Sequence, residues 1–382
     1  MEIAHSLQQI QSSYIREILA AATDKNVISL AGGLPDEKTF PIDLMRPTLE
    51  AMPDMVEVFQ YGATAGYGPL LEHLTQTFKL PDSHMVIATT GSQQGLDLIA
   101  RAYINPGDTV IMEAPSYLGA MQVFGLVQAN MVTVPQTEFG PDLEALESAF
   151  RAEVPKMFYA VPDFHNPTGV CWSLDTRKAV AKLCEQYNVA FIEDAPYREL
   201  RFSGEALPMV SDFCPQHSIV LRSFSKIASP GLRIGAVTGK VSYLEPLVKV
   251  KQGADLHSSV PMQALLHGLL KHDNFELHMS KIQALYHERY QVLNSELKKQ
   301  LPESCEVKDV DGGMFVWVTL PECDTFALAK QLLANGVAVV PSPVFYPDES
   351  QATPALRLNF TNAEPNELVE AVSRLSTVLK TL

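Results

Sequence analysis

Ile219-Val220-Leu221 runs through Arg222 into Ser223-Phe224-Ser225-Lys226, and Pro230-Gly231-Leu232-Arg233-Ile234-Gly235 follows. The apolar, β-branched run reads as a strand buried on both faces, and the polar turn beyond it as the loop at its carboxyl end. A lysine amine is a poor nucleophile at its ordinary pKa of about 10.4. Desolvation or a neighbouring cation lowers that value and lets the amine form a Schiff base with a carbonyl compound. Ser223, Ser225 and Arg233 are the donor types a phosphate needs, an arginine fork supplemented by hydroxyls. The stretch therefore reads as an aldehyde-capturing lysine beside a phosphate cradle. A surface lysine in a Ser-rich turn is the competing reading of this segment alone.

Four further runs have the same form. Met85–Ala88 leads into Thr90-Gly91-Ser92-Gln93-Gln94-Gly95, and Thr109–Met112 into Glu113-Ala114-Pro115-Ser116-Tyr117. Lys156–Val161 leads into Asp163-Phe164-His165-Asn166-Pro167-Thr168-Gly169, and Val189–Ile192 into Glu193-Asp194-Ala195-Pro196-Tyr197. With helical segments between them, such runs predict parallel strands, and ligands bind outside the carboxyl ends of parallel strands. Five unusual polar loops on one side of a sheet predict a site, and the lysine with its phosphate donors suggests pyridoxal phosphate. Adding Asn130–Val134 and Arg233–Thr238 gives an α/β, mixed, mostly parallel, seven-stranded doubly wound sheet.

The chain resembles the fold type I, class I/II aminotransferases that use pyridoxal phosphate. The motifs are Asn166-Pro167-Thr168-Gly169, Asp194-x-x-Tyr197 and Ser223-x-Ser225-Lys226, in that order. The likeness runs from Ala31-Gly32-Gly33-Leu34-Pro35 to Ala355–Phe360, and Ile15–Leu19 with Gly32–Pro35 look nearest the 2-aminoadipate/kynurenine branch. The resemblance implies amino transfer from an L-amino acid to a 2-oxo acid, 2-oxoglutarate foremost, in two half-reactions. It implies that Lys226 holds pyridoxal 5'-phosphate as a Schiff base and shuttles the substrate's α-proton, and that Asp194 pairs with the pyridinium nitrogen. Asn166 and Tyr197 would bond the phenolic oxygen, Ser92, Gln93, Ser223, Ser225 and Arg233 the phosphate, and Tyr117 would cover a cofactor face. Tyr61 matches a residue that reaches the phosphate of a partner subunit, which implies a homodimer. Arg357 would grip the α-carboxylate with Gly33 nearby, and Arg16 is the candidate contact to the substrate side chain. Helix cap for Asp194, turn for Pro167–Gly169, buried core for Tyr117 and solvated helix for Arg16 are the structural alternatives. His165 stands where glutamine or another small polar residue is expected, so a ring contact there would differ.

Three organisational units are expected: an N-terminal arm over 1–45 belonging to the small domain, a large cofactor-binding domain over 46–255, and a linking helix with a small α+β domain over 256–382. The arm includes a helix over Ser13–Ala22 and an extended passage over Ile28–Leu34. The later part includes a helix over Asn274–Leu301, strands at Phe315–Val318, Val337–Val340 and Leu356–Phe360, and an amphipathic helix from Pro365 to Leu382. The 382 residues are 46% hydrophobic, ample for two domains, and a net charge of -15 opposes a nucleic-acid surface. Five scattered cysteines without a C-x-x-C pair suit reduced thiols in a cytoplasmic enzyme. No leader pattern or bilayer-length apolar run is present, so a soluble, unprocessed chain is expected. His287-Glu288 has the start of a metalloprotease helix, but Gln291 removes the second ligand, and no metal is expected. Two other readings stay open. One is a lyase, decarboxylase or eliminase on the same framework. The other is the ligand-sensing domain of a transcription regulator, which the expected absence of a basic winged helix before the arm opposes.

Overall fold

The computed structural model describes residues 2–8, 18 and 26–380. Strands β1 (Ile28–Ser29), β2 (His84–Thr89), β3 (Thr109–Ala114), β4 (Asn130–Thr137), β5 (Gly140–Pro141), β6 (Met157–Ala160) and β7 (Ala190–Asp194) come first along the chain. They are followed by β8 (Ser218–Ser223), β9 (Gly235–Lys240), β10 (Glu306–Val307), β11 (Phe315–Thr319), β12 (Val337–Ala338), β13 (Val340–Pro341) and β14 (Ala355–Asn359). The large sheet has the order β2-β9-β8-β7-β6-β3-β4-β5. Strands β8, β7, β6, β3 and β4 pair in parallel, and β9 is antiparallel to both β8 and β2. Strand β2 therefore runs with the parallel set.

Side-chain alternation explains why the strands read as continuous apolar runs. Met112, Tyr159 and Ile192 enter one core layer, while Ile111, Phe158 and Phe191 enter another. Phe158 stacks on Trp172 at 6.1 Å between centroids, and Phe191 lies against both. Both faces are buried under helices, so nothing polar is needed on either, which is the parallel-sheet condition.

Two expectations about this sheet are corrected. It has eight strands rather than seven, because Gly140–Pro141 folds back on β4 through Thr137↔Gly140. Two residues are too few to show a period. Gly140, at φ 123, also sits where an added Cβ would lie 2.8 Å from Thr176 Cγ2. The run expected from Arg233 starts instead at Gly235, because Arg233 is left-handed (φ 54) and closes the Pro230–Leu232 turn.

The smaller sheet is antiparallel, with the order β10-β11-β14-β13. Here Val337–Val340, expected as one strand, serves two partners. Val337 and Ala338 pair with Ile28 and Ser29, whereas Val340 pairs with Arg357. The extended arm passage is regular only at Ile28–Ser29, but it continues the join. Leu30 N donates to Ala338 O and Leu30 O accepts from Asn359 N, each at 2.8 Å. The long helix is Phe275–Gln300 and the last one Pro365–Leu379. The Ser13–Ala22 helix lies outside the described residues except for Ile18, which is helical and buried. Among the described residues, no helix is long and apolar enough to cross a membrane, and no group of acidic, His or Cys side chains could hold a metal.

Candidate active site

The carboxyl ends of β2, β3, β6, β7 and β8 lie on one edge of the large sheet, and β9, running the other way, begins there. The five expected loops and Arg233 are thereby gathered around a cavity of about 500 Å³. The small sheet closes its other side with Arg357, and the turn after β13 with Phe345.

Lys226 lines this cavity, and its Nζ donates to Gly33 O at 2.7 Å. Burial, then the Arg357 and Arg233 guanidinium groups, bring its amine down to about 8. About a tenth of the amine is therefore neutral at pH 7, far more than at a lysine's ordinary pKa, and the neutral form is what a nucleophile or base requires.

Asp194 ends β7 and is 4% exposed. Its Oδ2 accepts from Tyr159 Oη at 2.8 Å, while Oδ1 is buried without a partner among the described residues. Burial pushes the carboxyl up to about 7, against the opposing pull of the Tyr159 hydrogen bond. A buried carboxylate oxygen lacking a donor is costly unless a ligand supplies one. A protonated ring nitrogen is such a donor, so the residues present fit pyridoxal phosphate.

At the other side, Arg357 sits mid-strand and is 2% exposed. Its Nη1 donates to Asn166 Oδ1 at 2.8 Å, Nη2 donates to Ala31 O, and Nε is buried without a partner among the described residues. Its guanidinium lies 4.4 Å from the Phe315 ring centroid and 5.2 Å from that of Phe345. Burial lowers its pKa to about 10, so it remains a cation at neutral pH. Asn166 also donates to Tyr197 Oη at 3.4 Å, which links the loops after β6 and β7. The Tyr197 hydroxyl is raised, by burial first and then by Tyr117.

Ser92 and Gln93 occupy the first turn of the Gly91–Tyr103 helix, whose N-cap Thr90 makes no side-chain cap bond. Free N–H groups and the helix dipole favour an anion at such a place. Arg233 Nη2 reaches Thr90 O at 3.4 Å, and an added Cβ on Gly91 (φ 74) would sit 2.8 Å from that nitrogen. Backbone is equally close at Gly235, where a Cβ would meet Ser92 N at 2.6 Å. Ser223 and Ser225 complete this end of the cavity. Tyr117 lines it too, donating to Gln93 Oε1 at 3.2 Å, and burial, followed by the Asp194 charge, pushes its hydroxyl up to about 12.

Of the described residues expected from sequence, all but one line this cavity: Gly33, Ser92, Gln93, Tyr117, Asn166, Asp194, Tyr197, Ser223, Ser225, Lys226, Arg233 and Arg357. Tyr61 does not line it. It is 80% exposed, with His257 edge-on at 5.9 Å. Arg16 lies outside the described residues. His165 is buried and bonds Thr168 Oγ1 at 3.0 Å instead of lining the cavity. Burial takes its imidazole down to about 3, so it stays neutral.

Sequence reasoning missed Tyr159, Gln122 and Phe345. Tyr159 carried a usable signal, since a tyrosine in an otherwise apolar buried strand needs a partner for its hydroxyl. Phe345 and Gln122 carried none, because their positions depend on how a turn and a helix pack.

This arrangement gathers an amine, a buried carboxylate and two guanidinium groups around one cavity of a mixed α/β sheet, and the comparisons specify the class. The chain belongs to the aminotransferase class I and II family, whose model matches residues 25–375. It is 36% identical over 381 residues to the 2-aminoadipate transaminase of Thermus thermophilus, covering 98% of this chain and 95% of that relative. It is 34% identical over 385 residues to aromatic-amino-acid aminotransferase 1 of Thermococcus litoralis, covering 97% and 92%. Among solved structures it resembles the kynurenine aminotransferase of Pyrococcus horikoshii, solved in complex with PMP, KYN and KYA. The TM-score is 0.95 at 34% identity, covering 99% of this chain and 97% of that one. The protein is a pyridoxal-phosphate-dependent aminotransferase that moves an amino group from an amino acid to a 2-oxo acid. The lyase, decarboxylase or eliminase alternative gives way to transamination.

Proposed function

We propose that Lys226, Asp194 and Tyr197 are the catalytic residues, with 2-oxoglutarate as the amino acceptor. The observation that carries this is the pair of orphaned atoms, Asp194 Oδ1 and Arg357 Nε, on residues that line the same cavity as the depressed Lys226 amine. Asp194 would hold the ring nitrogen of pyridoxal phosphate, Asn166 and Tyr197 its phenolic oxygen, and Tyr117 one ring face. Ser92, Gln93, Ser223, Ser225 and Arg233 would hold its phosphate. When bound, the cofactor supplies an electron sink and a temporary carrier for the amino group.

The chain's own groups do the rest. Arg357, with Gly33 beside it, takes the substrate α-carboxylate, and its buried fork fixes the amino acid in one orientation. Lys226 would hold the cofactor's aldehyde carbon, and its amine, brought down to about 8, is placed in the cavity to take and return the substrate's α-proton. Phe345 and Phe315 flank the guanidinium and keep water from that end.

The donor belongs with the substrates for which the relatives are named, 2-aminoadipate and aromatic amino acids. The Arg16 contact to the donor side chain, the units 1–45, 46–255 and 256–382, and a homodimer with Tyr61 contributed across its interface are part of the proposal. The exposure of Tyr61 supports the last of these. Five unpaired cysteines favour a cytoplasmic setting. The test is glutamate formation from a panel of amino donors with 2-oxoglutarate, run against other 2-oxo acids. Faster turnover with 2-oxoglutarate is expected. A uniformly faster rate with pyruvate or oxaloacetate overturns the acceptor.

A further inference from the structure

We propose that Lys251 is a positioning residue that keeps the phosphate-binding turn open by drawing Thr90 away from its own helix. This rests on the reading that the cofactor phosphate binds at Ser92 and Gln93.

Thr90 occupies the N-cap of the Gly91–Tyr103 helix. A threonine at that position ordinarily turns its hydroxyl inward and accepts from the second or third N–H of the helix. Capping is used elsewhere in this chain, where Asp142 takes Glu144 N and Ala145 N, and Ser173 takes Thr176 N. Thr90 instead has φ -79 and ψ 70, and its hydroxyl makes no cap bond. It shares a hydrogen bond with Ser258 Oγ at 3.1 Å and donates to Asp255 Oδ2 at 3.4 Å.

Those two partners are organised by Lys251, which is completely buried. Lys251 Nζ reaches both Asp255 carboxylate oxygens and Ser258 Oγ, each at 2.9 Å, and Gln94 Oε1 at 3.2 Å. Gln94 in turn takes Thr90 N at 2.8 Å and donates to Asp255 at 2.7 Å. With Arg233 on Thr90 O, every polar atom of Thr90 is held, and three of the four partners converge on one ammonium. A buried lysine is expensive and persists only with such saturation. Its effect is to leave the Ser92 and Gln93 amides without an internal acceptor. Removing the ammonium frees the Thr90 hydroxyl to cap the helix and compete with the phosphate.

The experiment measures binding of pyridoxal 5'-phosphate and of phosphate-free pyridoxal to the cofactor-free protein by spectral titration. Lys251→Met is expected to weaken pyridoxal phosphate binding about tenfold, the worth of one cap bond, and to leave pyridoxal unchanged. Thr90→Val cannot cap, so in the Lys251→Met background it is expected to restore most of that loss. The milder Ser258→Ala should follow the same pattern and serves if Lys251→Met does not fold. Equal losses for both ligands, or no recovery with Thr90→Val, overturn the inference. Arg233→Ala keeps the two readings apart: if it fails to weaken the phosphate form selectively, the phosphate placement itself is wrong.

Discussion

Asp163 follows β6 and Asp194 ends the neighbouring β7, and both are buried, at 2% and 4% exposure. Their surroundings are opposite. Asp163 Oδ1 meets Arg177 at 2.7 Å and Oδ2 meets Arg198 at 3.0 Å, so both oxygens are taken. Burial alone would raise its carboxyl, but the two guanidinium groups more than offset this and hold it below the ordinary 3.8. Asp194 has one tyrosine hydroxyl, one orphaned oxygen and a carboxyl pushed up to about 7 by burial. Asp163 is closed by two arginines, whereas Asp194 is left open for a partner that none of the described residues supplies. Burial is common to both, and only the missing partner marks the functional one.

The sharpest break with structural roles is at the cavity lysine. Lys226→Ala is expected to lower the transamination rate by about 10³-fold or more while leaving the thermal unfolding midpoint nearly unchanged. A rate within tenfold of wild type would refute its assignment. Next comes the closed cluster: Arg177→Met should cost about 3 kcal/mol of unfolding free energy in urea, because it removes one of the two guanidinium partners of a buried carboxylate and leaves only Arg198. Asp194→Asn should behave the other way. It lowers turnover by about 10²–10³-fold, the cost of losing one preorganised electrostatic partner, yet does not destabilise the cofactor-free protein.

The two aspartates also predict opposite pH slopes. Asp194 binds its proton more tightly folded than unfolded, so its contribution to cofactor-free stability falls as pH rises from about 4 to about 7. Asp163 is depressed, so its contribution is present above 3.8 and is lost as pH falls through its native value. Urea unfolding at pH 5 and 7.5 should show a smaller difference for Asp194→Asn than for wild type, and identical differences would remove Asp194 as the source. The smallest effect is expected at Tyr159→Phe, which removes the one donor to Asp194. Turnover should fall about fivefold, in proportion to one hydrogen bond. A loss as large as that of Asp194→Asn would mean that the tyrosine has a direct role in the reaction.

Local pattern alone made much of this protein legible. Apolar runs located the seven main strands, and the polar loops closing five of them marked the edge where the site lies, because strand burial on both faces leaves a direct mark on composition. Residue chemistry beyond the Ile219–Leu221 strand brought out Lys226 with Ser223, Ser225 and Arg233, whereas Asp194 and the mid-strand Arg357 were marked by the family resemblance. The division of Val337–Val340 between two sheets was invisible, as both halves are equally apolar and hydrogen-bond partners are chosen by packing. So was the eighth strand, too short to have a period.

The amino-acid order by itself determined which side chains were available and on which edge they would stand. Tertiary structure alone decided which of them went unpaired. Lys226 meets Gly33 across 193 positions, Arg357 meets Asn166 across 191, and Thr90 meets Ser258 across 168. A pKa or an orphaned atom depends on which groups and how much water remain within a few ångströms, and that census is taken only after distant segments have packed.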